Sequence, residues 1–522
     1  MTFVPHARRL GLAVLFVVGA TARAQSPLEI IPADAKVVVL VNNLERTMQG
    51  SEKFAQAIGQ PAPPSDLSQL TQFMGELGSQ WKINRGAALA MMQPGEDGLV
   101  VVFPVDDASA ALKAVKAEMK GDFGSFDVFG RNVVGAAKGK HLLVSAGESA
   151  LKTFSGDKTI AASLSSAQAK FAEQSSVFVY LNIQALKPMI EQGLGEGDQL
   201  KQIFEKLAEK NKAINPEQAV EITKKVIKGL SEQAKSMYIG LQIDEKAAMV
   251  RVGVELLPDS KARGRLGNFK ASGNNLFATL PASNFVATFG VDVAALAGLN
   301  ERQEGPKVTC VSAALSLEKD ATTAMVRIDS PDAAMINDQL RGMVGIVQAL
   351  AAAQAQGKVE FVNSQKKVGG ADVGEITLKI KGGDAKAKEA IAGVMGGSDI
   401  VIQHGVVGQA VGITISGRPD AFSALQAGGS LGASDRLKAA VGMLPSNSAF
   451  TLLVDPVNIL QVGKKIARAT GKETPLATQN IPESGGFPIA AALSVEPDGV
   501  IFNLAVPAAA IKDVAPIMQK IE

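Results

Sequence analysis

Four stretches of this 522-residue chain share one pattern, an apolar run that ends at Asn or Asp and passes directly into a helical pattern. The runs begin at Val37, Val177, Phe285 and Phe450, and the residues that end them are Asn43, Asn182, Asp292 and Asp455. An N-cap residue needs a side-chain oxygen that accepts the amide hydrogens of the first helical turn, and both Asn and Asp provide one. A catalytic acid or a hard metal ligand does not usually tolerate Asn at half of its positions. We therefore predict that all four are helix caps, and Pro456, which suits the first helical position, supports this for Asp455.

A second phrase follows each of these runs: an alternating strand, a polar turn and another strand. Its copies begin at Leu89, Leu241, Leu315 and Leu493. This spacing is typical of a β-hairpin, and an Ala-rich helix follows most copies. The sequence therefore predicts an α+β fold with two similar halves, each with a mainly antiparallel sheet and helices built from repeated strand–helix–hairpin–helix units.

The same order of units and intervening hairpins occurs twice, which predicts two domains. We expect a signal peptide at 1–24, a first α+β domain at 25–263, a linker at 264–275 and a second α+β domain at 276–522. The stretch 257–275, which contains the linker, is rich in Gly, Ser, Asn and Lys, and the linker should be exposed. A helical run at 197–236, broken at the sequence INPEQ, is interpreted as an insertion in the first half.

The first 24 residues have the layout of a secretory signal peptide. Two basic residues, Arg8 and Arg9, precede an apolar stretch, and the small-residue pattern Ala-Arg-Ala ends at Ala24. Spanning a bilayer takes about 20 apolar residues, and this stretch is shorter. No cysteine follows the cleavage point to carry a lipid. We expect an exported protein, periplasmic or extracellular, with no transmembrane segment after signal cleavage.

The charge balance disfavours nucleic acid as a partner. The chain has 53 Lys and Arg against 51 Asp and Glu, and loss of the leader brings it closer to neutral. Nucleic-acid binding needs a basic surface that displaces counterions. The basic runs EITKKVIKG and VGKKIARATGK are interpreted as solvated helix faces. Aromatic residues make up only 5% of the chain, which also disfavours stacking on bases or sugars.

Carboxylates in the predicted hairpin turns raise the question of a metal site; they are Glu96, Asp97, Glu318, Asp320, Glu496 and Asp498. Asp suits turns for conformational reasons, and the spacing of an EF-hand loop is missing. The two histidines outside the leader, His141 and His404, are placed in hairpin turns with no ligand spacing to another His or Cys. We predict no metal site and no cofactor.

Motifs that would indicate catalysis are weak. Cys310, the only cysteine, lies in a strand-like run and is predicted to be a buried, unreactive thiol. The sequence SALK at Ser149 matches the Ser-x-x-Lys of serine acyl-enzymes but lacks their partner motifs. Neither the glycines near Gly135 nor Asp122 in DFG has the context of a phosphate loop or a kinase. The sequence nominates no catalytic residue.

The leader, the IPADA opening and the repeated phrases make the chain resemble uncharacterised exported bacterial α+β repeat proteins of the domain-of-unknown-function class. This resemblance implies an envelope or extracellular setting and carries over no site residues. We favour a non-catalytic binding, scaffold or assembly protein of the cell envelope, with an unknown envelope protein or ligand as its partner. An exported hydrolase with a site assembled from distant residues, or an envelope carrier for apolar ligands, are the alternatives.

The leader gives a direct test. Mature protein isolated from the exported fraction is expected to begin at Gln25, because the small residues before it fit the cleavage site of a signal peptidase. Peptide mapping of the N-terminus by mass spectrometry checks this, and a mature chain that retains Met1 or other leader residues contradicts it.

Overall fold

The protein is described by a computed structural model. The described residues are 26–61, 86–128, 130–155, 158–195, 201–202, 204–206, 208, 215–267, 269, 276–277, 279–297, 305–318, 321–354, 359–381, 385–471, 474–483 and 485–519. The predicted signal peptide, Gln25 and Asp320 lie outside them. The fold is α+β, with antiparallel strands and packed helices, as the sequence predicts.

The chain divides into two compact units. Unit 1 consists of Met1–Glu52 and Ala62–Ile243, and unit 2 of Lys53–Pro61 and Asp244–Glu522. Helix α1 (Leu44–Ala57) contains residues of both.

Unit 1 contains nine strands among the described residues: β1 (Val37–Val41), β2 (Ala87–Met91), β3 (Leu99–Pro104), β4 (Glu118–Lys120), β5 (Phe123–Val128), β6 (Arg131–Lys138), β7 (His141–Ser145), β8 (Val177–Asn182) and β9 (Ala234–Ile243). Its further helices are α2 (Ala108–Ala114), α3 (Glu148–Lys152), α4 (Ile160–Ser163), α5 (Ser166–Gln174), α6 (Ile183–Gly195) and α7 (Pro216–Gln233). The strands pair antiparallel in the order β9-β8-β1-β2-β3-β7-β6-β5-β4.

The core of unit 1 forms where helices cover one face of this sheet. Phe171 of α5 lies 6.0 Å from Phe178 and 5.2 Å from Tyr238 between ring centroids, and both contacts are edge-on. Helix α7 begins at the predicted break, where Asn215 caps it and Pro216 takes the first helical position.

Unit 2 contains eleven strands among the described residues: β10 (Ala247–Leu256), β11 (Phe285–Asp292), β12 (Cys310–Leu317), β13 (Thr322–Asp329), β14 (Val359–Val368), β15 (Ala371–Ile380), β16 (Ile400–Val406), β17 (Ala410–Ser416), β18 (Ser448–Val454), β19 (Ile489–Glu496) and β20 (Gly499–Pro507). Its helices are α8 (Lys261–Leu266), α9 (Val293–Ala297), α10 (Ala333–Gln354), α11 (Ala385–Met395), α12 (Ala421–Ala427), α13 (Asp435–Val441), α14 (Pro456–Ala469), α15 (Pro475–Thr478) and α16 (Ala508–Met518). The strands pair antiparallel in the order β10-β20-β19-β18-β11-β12-β13-β17-β16-β15-β14.

The largest cluster of buried apolar residues in unit 2 lies against one face of its sheet. Phe422 and Leu425 of α12 and Leu437 of α13 pack there against Leu453 of β18. Each of these side chains is at most 2% exposed, so this part of the face is fully covered.

The longer segment of unit 2 begins at Asp244, ahead of the segment 264–275 at which we expect the linker. Strand β10 precedes that segment and pairs with β20, from Ala247 opposite Pro507 to Glu255 opposite Gly499. Residues 264–266 end helix α8, and Leu266 is buried against Val495 rather than exposed in a linker. Residues 268 and 270–275 lie outside the described part of the chain.

This pairing predicts where a stable fragment must begin. A fragment Asp244–Glu522 is expected to melt cooperatively, whereas Gly273–Glu522 should be less stable because it lacks β10 and α8 and so uncovers β20. Thermal melts followed by circular dichroism, with amide dispersion in NMR spectra, check this. Equal stability of the two fragments would show that β10 is dispensable and would favour the boundary at 264–275.

Candidate functional site

The four residues predicted as helix caps all cap helices. A backbone N–H three residues further on donates to each side-chain oxygen, at 2.8 Å for Asn43, 3.1 Å for Asn182, 2.9 Å for Asp292 and 3.1 Å for Asp455. Since Asn and Asp make the same hydrogen bond at these positions, the shared feature of the four is a cap and not a reactive acid.

Asp455 does more than cap α14. It is fully buried, and its Oδ1 accepts hydrogen bonds from the backbone N–H groups of Val457, Asn458 and Gly486, at 3.0, 3.1 and 3.1 Å. Its Oδ2 accepts from Nη2 of Arg436 and, at 3.2 Å, from Nδ2 of Asn458. Both carboxylate oxygens are therefore used, one for the helix start and a loop, the other for a cation.

Arg436 ties α13 and the 485–486 loop to this carboxylate. Its Nη2 also donates to the carbonyl of Gly486, and its guanidinium carbon lies 5.9 Å from the ring centroid of Phe285. The loop approaches so closely that a Cβ on Gly485 would lie 2.3 Å from Oδ2 of Asp455, which explains the glycine. The sequence did not identify Arg436, because it lies 19 residues before its partner and no local pattern marks it.

Burial raises the pKa of Asp455, although the N–H groups of Asn458 and Gly486 and the charge of Arg436 oppose this. The carboxyl group has no room for a substrate, so its role is to hold the surrounding elements together.

A cleft of about 580 Å³ lies beside α14. Its lining residues are Asn284, Leu317, Glu318, Gln461, Lys464, Lys465, Arg468, Asn480, Ile481 and Glu483. Asn284 joins it to the buried network, because its Oδ1 accepts from Nδ2 of Asn458 at 2.9 Å. The basic run interpreted as a solvated helix face thus supplies three cations to a cleft, and of these Lys464 and Lys465 are half-buried.

A second cleft, of about 330 Å³, lies beside α10 and is lined by His404, Arg341 and Gln348, among other residues. The placement of His404 in a hairpin turn was wrong, since it lies within β16 and is buried. Its Nδ1 lies 2.9 Å from Oδ1 of Asn337. Burial lowers the pKa of His404, and the charge of Arg341 lowers it further, so the ring is neutral near pH 7.

Ser364 and Glu375 belong to β14 and β15, the strands that line this cleft, but they do not form a catalytic triad with His404. Ser364 is opposite Glu375, and Glu375 is opposite Gln403, whereas His404 is the next residue of β16. Successive side chains of a strand point to opposite faces, so the serine and the carboxylate lie on the face away from the imidazole. Burial raises the pKa of Glu375, but hydrogen bonds from Lys366 and Gln403 outweigh it and leave a net lowering.

The remaining residues that the sequence singled out show no reactive arrangement. Cys310 is buried as predicted, and burial, with Asp329 and Asp292 nearby, raises the pKa of its thiol to about 12. Ser149 is exposed on α3, where Lys152 pairs with Glu148 at 3.0 Å.

The residues considered for a phosphate loop, a kinase motif and a metal site occupy ordinary structural positions. Gly135 lies within β6, where a Cβ would contact Leu112 and Phe126, and Asp122 lies in the turn between β4 and β5. His141 begins β7 and is buried. Within the described ranges, no group of three or more His, Cys, Asp or Glu residues is placed to hold a metal ion.

One face of the sheet in unit 1 is apolar and only partly covered. Strand β1 is apolar throughout, and its fully buried residues Val38 and Leu40 alternate with half-buried ones. Val39 points to the second face, opposite Leu89 of β2, which is 38% exposed. We call this surface the open face of unit 1 and define it by Val37, Val39, Leu89, Val179, Leu181 and Ile239.

Unit 2 has an open face of its own, which we define by Phe289, Phe450, Leu452, Leu493, Phe502 and Leu504. Phe289 is 37% and Phe502 is 41% exposed, and the rings of Phe289 and Phe450 stack with centroids 6.5 Å apart. Helix α10 packs on the same side of the sheet only further along, against Ile328 and Val411. The sequence signal for both open faces is a strand with apolar residues at odd and even positions alike.

The Asp455 network predicts the outcome of two substitutions. Asp455→Asn keeps an oxygen for the cap but loses the charge that Arg436 pairs with, so it is expected to lower the free energy of unfolding by roughly 1.5–3 kcal/mol. Asp455→Ala loses the cap as well and should cost about 1 kcal/mol more. A residue that only caps a helix would make the Asn variant nearly silent, so the size of the loss reports the pairing with Arg436.

Asp107 provides the control for this pair of variants. It caps α2 through the same two kinds of backbone hydrogen bond, at 2.8 and 3.0 Å, but it is exposed. Asp107→Asn should change the free energy of unfolding by only a few tenths of a kcal/mol, roughly the spread among good caps. Urea titrations measure all three variants, and equal losses for the two Asn variants would contradict a contribution from Arg436.

No family model matches this sequence, and no curated protein or solved structure shows significant similarity to it. Among the described residues, no helix is both long enough and apolar enough to cross a membrane.

Proposed function

We propose that the chain is an exported, non-catalytic binding protein of the cell envelope that holds apolar ligands on the open faces of its sheet. The observation that carries the proposal is the half-exposed apolar side of the sheet in each unit, with Leu89 in unit 1 and Phe289 and Phe502 in unit 2. Exposed apolar surface of this kind is typical of binding sites, because a soluble fold gains nothing from leaving it in water.

The chemistry of the open faces favours a hydrocarbon ligand over a protein partner. The side chains that define them are hydrocarbon or aromatic rings with no hydrogen-bonding group. A protein interface carries about one hydrogen bond per 100–200 Å², which these side chains cannot provide. An acyl chain needs none and gains from apolar burial alone. We therefore commit to a long-chain apolar ligand, and a scaffold or assembly role with a protein partner becomes the second reading.

The export and envelope location in this proposal rest on the sequence. The leader at 1–24 and the resemblance to uncharacterised exported bacterial repeat proteins support them. An internal duplication is part of the same proposal, and the strand orders support it: β9-β8-β1-β2-β3-β7-β6-β5-β4 in unit 1 matches β19-β18-β11-β12-β13-β17-β16-β15-β14 in unit 2 position by position.

The register of the sheet argues against the best candidate site for the hydrolase alternative. His404 faces the cleft beside α10 with an orienting amide from Asn337, as a general base would. Ser364, the serine of that cleft, lies on the opposite face of the sheet. The strand register thus argues against a nucleophile and a general base meeting in the cleft beside α10.

Binding of the fluorescent probe N-phenyl-1-naphthylamine tests the proposal. The full mature chain is expected to bind the probe and to release it when palmitate is added. Phe289→Asn and Phe502→Asn should each weaken binding about tenfold, the equivalent of 1.4 kcal/mol, because they remove apolar contact area. Leu89→Asn tests unit 1 in the same way.

Ile222→Asn is the matched control, because Ile222 is an exposed apolar residue on α7 and is not one of the residues that define either open face. It should leave probe affinity unchanged, and thermal melts should show that all variants stay folded. A wild-type chain that does not bind the probe, or a loss as large for Ile222→Asn, would contradict the proposal.

A further inference from the structure

We infer that the cleft beside α14 is a separate binding site for a small soluble molecule that carries an oxyanion, a phosphate or carboxylate group. Lys464, Lys465 and Arg468 lie at helical spacing on α14 and line the same cleft. Nothing in the proposed apolar binding uses this site, so the two inferences stand or fall separately.

Backbone carbonyls hold the three cations in place. Nζ of Lys465 donates to the carbonyl of Glu318 at 3.3 Å, and Nε of Arg468 donates to that of Ala477 at 2.9 Å. Nζ of Lys464 donates to the carbonyl of Gln479. The neutral acceptors of Lys464 and Arg468 position these two side chains without cancelling their charge, so the cleft is arranged for an anion before one arrives.

Two carboxylates, of Glu318 and Glu483, line the cleft together with the three cations. Glu318 forms its ion pair with Arg418, at 2.7 Å. Within the described part of the chain, no carboxylate forms an ion pair with Lys464 or Arg468. Burial lowers the pKa of Lys464, and the nearby positive charge of Arg468 lowers it further. An anion bound between Lys464 and Arg468 would attract both cations and offset their mutual repulsion.

The size and the other walls of the cleft indicate a small polar molecule. About 580 Å³ falls within the range of small-molecule sites. The carboxamides of Gln461 and Asn480 lie along the walls, whereas that of Asn284 already bonds to Asn458 through both its oxygen and its nitrogen. A site that contains both Lys and Arg can bind either a phosphate or a carboxylate group, so each group is tested with its own probe.

Isothermal titration of the full mature chain with inorganic pyrophosphate and, separately, with tricarballylate tests the site. Wild type is expected to bind at least one of the two, and the stronger arm identifies phosphate or carboxylate as the group. The double variant Lys464→Gln with Arg468→Gln should raise Kd about tenfold or more. Added salt should weaken binding, as for any exposed charge interaction.

Lys512→Gln is the control for the loss of a positive charge elsewhere, since Lys512 is exposed on α16 and does not line the cleft. It should leave Kd unchanged, and a variant of the open face, Phe289→Asn, should bind the anion as wild type does. The inference is overturned if neither anion binds to wild type, or if Lys512→Gln weakens binding as much as the double variant.

Discussion

The carboxylate of Asp455 is the interaction on which the organisation of unit 2 depends. A buried charge is costly unless it is paired and hydrogen-bonded, and here three backbone N–H groups, an amide and Arg436 satisfy it. These donors come from the start of α14, from α13 and from the 485–486 loop. Because one group fixes all of them, the direction of α14 is set at its first turn, and so is the position of the cations three turns later.

Whether an interaction at this site could be predicted depends on how far apart its residues lie in the chain. The cap was predictable, because Asp455, Pro456 and the helix they begin are adjacent in the chain. The pairing with Arg436 and the close approach of Gly485 were not, since they join residues 19 and about 30 positions apart that no repeating pattern connects. Local chemistry therefore identified the helix start, and only the fold revealed that the same oxygens carry a buried ion pair.

The same holds for the sheet, whose local patterns could be predicted from the sequence but whose pairing could not. Apolar runs, turns and helical patterns were enough to predict an antiparallel α+β fold. They could not say which face of a strand the helices cover, because runs such as Val37–Val41 are apolar on both sides. Nor could they place His404 relative to Ser364, since a shift of one residue in register moves a side chain to the other face. Register is a property of strand pairing, and the pairing partners are far apart in sequence.

The composition of the open faces is not explained by stability. Helices pack against the opposite side of the sheet, where Phe178 in unit 1 and Leu453 in unit 2 are buried. A polar residue at a half-exposed position such as Phe502 or Leu89 would change the free energy of unfolding little and would reduce aggregation. The side chains there are nevertheless apolar in both units, which places their advantage outside folding. We propose that contact with an apolar molecule provides that advantage, because it removes the same surface from water only when the ligand is bound.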